Sequence, residues 1–416
     1  MVFKPVGVDE NGKFPTRVEE ALSATYAGKA ETRTIRRGAR MAHLGDSLSS
    51  AVSGGDHAHW AWLLPVLLDG QLARVVHAGV PGDRSTQILA RVPSVVASGV
   101  RYATVLSGAN DTGTVAETTA TLRQIYDQLR AGGVEPLPML MIPNNVAGRP
   151  DFISQVNAWI SAYGERNGMT VLDSHTPLVQ ATGANVGQFI TGYNSDTTHM
   201  TQAGHIALAR ALATQLDGKL SNGGWKPLLT STSSGISNLA GDGLLSTVSG
   251  TAGIAAGWTQ ASTTAGGTWS LVPVVPATDK ITGGNWQRIA IASGTTGTMK
   301  LRKAVTRGST TFEAGDRLSI AMRLRTGGGW EDVGITNWYQ ATVYFNGSTD
   351  PEQAFVRQWA ADVTNGLVYT ELTVPADGTD LRLELWVTAA TAAGHAQNVD
   401  FGAITIRNLT KLGALA

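Results

Sequence analysis

Four short stretches of the chain carry side chains suited to acyl-transfer chemistry. The first is His43-Leu44-Gly45-Asp46-Ser47-Leu48. A serine placed just after a strand, where a helix starts, has backbone N–H groups aimed at any anion that forms beside it. The bland alternative is a helix cap. The second stretch runs from His77-Ala78-Gly79-Val80-Pro81 to Gly82-Asp83-Arg84-Ser85. It puts Gly82 in a strand-to-helix turn, where the missing side chain lets a substrate reach the backbone N–H; otherwise it is a plain turn glycine. In Ser107-Gly108-Ala109-Asn110-Asp111, the Asn110 amide can donate to an oxyanion or cap a turn. In Asp196-Thr197-Thr198-His199-Met200-Thr201, a carboxylate three residues before a histidine can reach its Nδ1. That fixes the tautomer and leaves Nε2 to take a serine proton. A surface capping pair is the alternative. Taken together, the four supply a nucleophile (Ser47), a base (His199), an orienting acid (Asp196) and three oxyanion donors (Ser47 N–H, Gly82 N–H and Asn110).

These residues need a scaffold. Short apolar runs occur at Met41–Leu44, Ala73–Val80, Tyr102–Leu106, Leu137–Ile142 and Met169–Leu172. Helical patterns lie near 57–68, 85–98, 115–131, 151–167 and 201–216. Strands alternating with helices of this length predict βαβ units and a parallel sheet. Five strands with helices on both faces suit a flavodoxin-like, three-layer α/β/α arrangement. Each of the four stretches then sits at the C-terminal end of a strand or at a strand–helix junction. In an open α/β sheet those ends share one crevice.

The rest of the chain divides in two. Residues 1–38 are polar and mixed, with a short helix expected over Thr16–Ala27, capped by Thr16 and Glu19. Too small to bury a core alone, they read as an attachment or oligomerisation arm. The α/β part spans 39–220. Over 225–416 helical periodicity gives way to alternating runs such as Arg317–Arg325, Gln340–Phe345, Asp380–Val387 and Val399–Arg407. Alternation with regular turns predicts an antiparallel β-sandwich.

The four stretches resemble, in order and spacing, the signature blocks of the SGNH (GDSL) hydrolases. The likeness covers about residues 39–218. It implies a serine esterase in which Ser47 is the nucleophile, His199 the base and Asp196 its orienting partner. It also implies an oxyanion hole of Ser47 N–H, Gly82 N–H and Asn110. His77 departs from the pattern, since many relatives carry asparagine there. An open site of this kind suits small acyl groups on large substrates. Residues 225–416 resemble, loosely, jelly-roll carbohydrate-binding modules. Trp386 is expected in the core, while Trp330 and Trp338 are the candidate glycan contacts, because aromatic faces stack on sugars. The N-terminal arm is similar to the start of some phage tail proteins. That likeness implies a virion or extracellular setting, with a homotrimer or a tail partner; without a phage origin the expected setting is cytoplasmic.

Composition narrows the rest. Lys+Arg and Asp+Glu are both 32, which argues against a nucleic-acid partner recruited by a basic surface. The absence of cysteine excludes thiol nucleophiles and disulfides. No apolar run approaches the roughly 18 residues of a membrane span. No cofactor is expected, and no metal. Asp56-His57-Ala58-His59 has too few ligands and reads as a loop or substrate rim. Asp173-Ser174-His175 reads as structural, and His205 as packed in the last helix or solvent-facing. The expected activity is removal of acetyl groups from an acetylated polysaccharide. A lipid or aryl esterase of the same family and a non-enzymatic glycan-binding adhesin are the alternatives.

Overall fold

A computed structural model describes residues 39–50, 59–69, 72–217, 238–248, 253–332, 337–347, 355–390 and 396–413. The N-terminal arm and its Thr16–Ala27 helix lie outside them. The first unit is built on a parallel sheet of β1 (Ala39–Gly45), β2 (Leu72–Gly79), β3 (Tyr102–Leu106) and β4 (Glu135–Pro138). The strand order is β2-β1-β3-β4. Between and after the strands run α1 (Trp60–Leu67), α2 (Ser85–Ala97), α3 (Val115–Ala131), α4 (Arg149–Arg166) and α5 (Gln202–Leu216). Strands covered on both faces read as continuous apolar runs, and all five residues of β3 are buried.

The two faces have separate cores. Ala42, Leu44, Ala103 and Val105 pack with Ile88 and Val92 of α2, Leu122 and Ile125 of α3, and Val156 and Ile160 of α4. On the opposite face Met41 shares a core with Trp60 and Leu64 of α1 and Leu208 and Leu212 of α5. This is a three-layer α/β/α arrangement. Local signals set the helix starts. Thr114 and Glu117 form a reciprocal capping box on α3, and Thr201 caps α5 by accepting from Gly204 N.

The sheet corrects the expectation of five strands. Met169–Leu172 contributes only a single parallel bridge, Met139 to Leu172. Alternate residues of a parallel strand serve opposite neighbours. Glu135 and Met139 N–H donate towards β3, to Arg101 and Val105 O. Pro136 and Pro138 therefore face the fifth segment without an N–H to give. Only Leu140 N to Leu172 O and Leu172 N to Pro138 O form there, each at 3.0 Å or less.

The second unit comprises two five-stranded antiparallel sheets. One orders β11 (Phe355–Trp359), β10 (Asn337–Asn346), β13 (Asp380–Ala389), β8 (Gly297–Thr306) and β5 (Thr259–Ser262). The other orders β12 (Gly366–Thr373), β9 (Arg317–Thr326), β14 (Gln397–Asn408), β7 (Asn285–Ile291) and β6 (Gly267–Pro273). Leu381, Leu383, Leu385 and Val387 of β13 are fully buried in the same core as Leu318, Ile320, Met322 and Leu324 of β9. That is the packing of a β-sandwich.

Two tryptophan expectations are overturned. Trp330 is 0% exposed. The Gly327–Gly329 turn folds it inward, its N–H bonds the Asp362 carboxylate, and its ring nitrogen donates to Asn398 O at 3.1 Å. It stands edge-on to Tyr339 and cannot offer a face to a glycan. Trp386 is partly exposed rather than core, because its buried neighbours Leu385 and Val387 take the inward parity. It is paired across the sheet with Gln340, tilted against half-buried Trp338 at 6.1 Å between ring centroids, and lies under the Lys300 ammonium.

The sandwich docks on the α1–α5 side of the first unit, and one core runs through both. Asp69 pairs with Arg323 and Lys280, Arg210 pairs with Glu331, and Gln202 donates to Ala360 O. A Cβ on Gly366 would lie 2.3 Å from Val66 Cγ1, so glycine permits the close approach of β12 to α1.

Candidate active site

Strand β1 ends at Gly45, where any Cβ would lie 2.4 Å from Leu106 O and Ser49 Oγ. The chain turns at once. Ser49 N bonds Asp46 O and Ser50 N bonds Ser47 O, while the Asp46 carboxylate accepts from Leu48 N at 2.9 Å. The result is a tight turn rather than the start of a helix; α1 begins only at Trp60. Ser47, at its tip, is partly exposed between buried Asp46 and Leu48.

The fourth stretch forms a small hairpin. Asn194 bridges Met200, and Ser195 N donates to His199 O. Asp196 Oδ1 accepts from Thr198 N and His199 N, both at 2.7 Å, and its Oδ2 meets His199 Nδ1 at 2.8 Å. Desolvation pushes the Asp196 carboxyl up. The hydrogen bonds from His199 N, Thr198 N and the His199 ring outweigh it and hold the pKa at about 2. Asp196 thus stays ionised at neutral pH. With Nδ1 so engaged, His199 Nε2 stands 3.0 Å from Ser47 Oγ, across 152 residues of sequence. The hairpin is held by Asn144, which donates to Thr198 Oγ1, and by Asn145 N, which donates to Thr197 O.

Gly82 has φ +81° with no atom near its missing Cβ, so the requirement for glycine is conformational. Its loop is tied to β1 by Val80 N donating to Gly45 O. Asn110 Nδ2 donates to Asp83 O at 3.0 Å, joining the third loop to the second. The structure therefore brings Ser47, His199 and Asp196 together, with the loops of Gly82 and Asn110 tied to each other and to the end of β1. A serine hydroxyl bonded to an imidazole, itself bonded to a carboxylate and flanked by amide donors, can attack a carbonyl carbon and stabilise the oxyanion.

The other histidines among the described residues have structural partners. His175 Nδ1 bonds Met141 O. His77 stacks on Trp62 at 5.1 Å. His59 caps α1 through Nδ1, and His205, 5% exposed, accepts from Trp60 N. Asp56, His57 and Ala58 lie outside the described residues. Among the described residues no group of three or more His, Asp or Glu side chains could hold a metal. Sequence reasoning missed Arg91, Arg149 and Asp111, which bond the loop backbones. A lone arginine that binds carbonyls leaves no spacing to detect.

Residues 43–207 match the profile of the GDSL-like Lipase/Acylhydrolase family. This segment is similar to GDSL-type (SGNH) hydrolase domains. Over 111 residues the chain is 36% identical to thioesterase 1/protease 1/lysophospholipase L1 of Escherichia coli, covering 26% of this chain and 53% of that protein. It therefore spans about half the length of the curated relatives it matches. A putative lipolytic protein of the G-D-S-L family from Desulfitobacterium hafniense is similar in structure, with TM-score 0.38 and 18% identity, over 43% of this chain and 100% of that one. An acetylxylan esterase from Geobacillus stearothermophilus is similar with TM-score 0.36 and 18% identity, over 43% and 94% of the two chains.

Proposed function

We propose that this protein is a serine esterase that removes small acyl groups, acetyl foremost, from a polysaccharide. The observation that carries the reading is the unbroken line Ser47 Oγ, His199 Nε2, His199 Nδ1, Asp196 Oδ2, with separations of 3.0 and 2.8 Å. Ser47 Oγ attacks the ester carbonyl while His199 takes its proton. Ser47 N–H, Gly82 N–H and Asn110 receive the oxyanion. His199 then protonates the leaving alcohol. Water, deprotonated by the same imidazole, releases the acid from the acyl-enzyme.

Two features support a short acyl group on a large alcohol. The cavity lined by Asp46, Leu48, Ala109, Asn144 and Thr198, the neighbours of the reacting residues, measures about 10 Å³, the space of one water-sized group. On the sandwich, the partly exposed Trp338 and Trp386 share a sheet face with Lys300, with buried Gln340 between them. Aromatic and polar groups side by side fit a sugar ring and its hydroxyls. A virion setting rests on the N-terminal arm alone.

The test is acetate release from acetylated xylan and hydrolysis of p-nitrophenyl acetate, with Ser47→Ala as control and fluorophosphonate labelling of Ser47. Strong preference for octanoate over acetate would replace the reading with a lipid esterase. Failure of folded protein to label would leave an adhesin.

A further inference from the structure

We infer that Arg149 and Arg91 are positioning residues that fasten the three oxyanion-donating loops into working geometry. This rests on the esterase reading above.

An oxyanion hole works because its donors are fixed before the charge develops. The loops that carry them here have little intrinsic reason to be fixed. Gly82 and Gly108 both sit at positive φ, at +81° and +106°, and Gly82 has open space around it. What holds them comes from the helices behind. Arg149, at the first position of α4, donates to Gly108 O at 2.8 Å, Ala109 O at 3.0 Å and Asp111 O at 3.0 Å. These carbonyls flank Asn110 on both sides. Its guanidinium lies over the Phe152 ring at 4.3 Å, which sets the plane of the fork. With the Asn110 backbone gripped and one Nδ2 hydrogen on Asp83 O, the other hydrogen remains for substrate.

Arg91 does the same for the other two loops. It donates to Gly45 O at 2.8 Å, two residues before Ser47, and to Ala78 O at 3.1 Å, at the end of β2. It also pairs with the carboxylate of Asp83, the residue after Gly82. Asp111 closes the frame, accepting from Ser85 N and Thr118 Oγ1, each at 2.8 Å. One planar cation thus spans the nucleophile's strand end and the Gly82 loop, and a second spans the Asn110 loop. A lysine keeps the charge but cannot reproduce a fork shared among three acceptors.

The experiment compares Arg149→Lys and Arg91→Lys with the intact protein on p-nitrophenyl acetate. Arg130→Lys is the control, since Arg130 also binds a carbonyl, Asn167 O, and pairs with Glu135 away from the site. Misplacing donors by an ångström costs up to roughly 100-fold. We expect kcat to fall about 10- to 100-fold in each site variant, with KM within about twofold. The second readout is an aryl trifluoromethyl ketone. Its carbonyl carbon bonds Ser47 Oγ, the π pair moves to oxygen, and His199 takes the serine proton. Its affinity should fall by the same factor as kcat/KM, because the adduct carries the oxyanion. A merely structural arginine would lower Tm and the active fraction, titrated by fluorophosphonate, but leave kcat per labelled site and ketone affinity intact. That result in both variants overturns the inference. An intact protein that neither labels nor hydrolyses the ester overturns the esterase reading instead.

Discussion

Acidifying the protein from pH 7 to 4.5 sets two buried groups of the hydrolase unit against each other. His205 packs between His59, 4.3 Å away between ring centroids, and the start of α1, and its imidazole accepts from Trp60 N. Desolvation first, and the nearby His199 second, lower its pKa from 6.5 to about 3. The unfolded chain takes up a proton below 6.5 that the folded chain refuses until about 3. Stability from this group is therefore full above 6.5 and drains as pH falls. At about 1.36 kcal/mol per unit, the loss between pH 7 and 4.5 is about 2.5 kcal/mol. Asp46 works the other way. It is 0% exposed. Burial, then the Asp111 charge among the raising causes, lifts its pKa from 3.8 to about 6 against the Leu48 hydrogen bond. The folded chain binds this proton at pH 4.5 and the unfolded chain does not, which returns about 2 kcal/mol. The wild-type contributions nearly cancel. Single substitutions should separate them. His205→Asn, able to accept from Trp60 N, becomes more stable by about 2 kcal/mol on going to pH 4.5, relative to its own value at pH 7. Asp46→Asn, able to accept from Leu48 N, loses about 2.5 kcal/mol over the same step. The assay is urea unfolding followed by tryptophan fluorescence at both pH values. Equal pH dependence in the two variants would refute the reasoning.

Other consequences are simpler. Ser47→Ala should abolish ester hydrolysis and fluorophosphonate labelling while leaving Tm within a degree or two. Asn110→Ala should lower kcat on p-nitrophenyl acetate by about 10²–10³, while the lost bond to Asp83 O costs only about 1 kcal/mol of stability, so activity and unfolding measurements should diverge. Trp330→Ala should destabilise the sandwich by about 3–5 kcal/mol, as expected for emptying a fully buried indole site. Trp338→Ala should cost less unfolding free energy than Trp330→Ala, because Trp338 is only half-buried, and should weaken retention of the Ser47→Ala protein on immobilised acetylated xylan; equal retention would remove the sugar-stacking role.

Much of the site was legible because acyl-transfer chemistry demands particular residue types at particular places on a strand–helix scaffold. Ser47, Gly82, Asn110, Asp196 and His199 each close a recognisable local pattern, and the apolar runs of β1 and β3 show that both faces are covered. Other features have no such local signature. Alternation along β13 states that Trp386 and Leu385 face opposite ways, but only the partner sheet decides which way is inward. The Gly327–Gly329 turn can deliver Trp330 to solvent or to the core, and the Asp362 carboxylate settles it from 32 residues away. Pro136 and Pro138 were visible in the chain, yet their effect on the fifth strand depends on which edge of β4 they face. Arg91 and Arg149 bind backbone carbonyls, which every residue carries, so no pairing of side-chain types could announce them. The sequence determined which groups are available to react; the tertiary structure determined which of them are held still, because backbone hydrogen bonds and face parity arise only when distant segments pack.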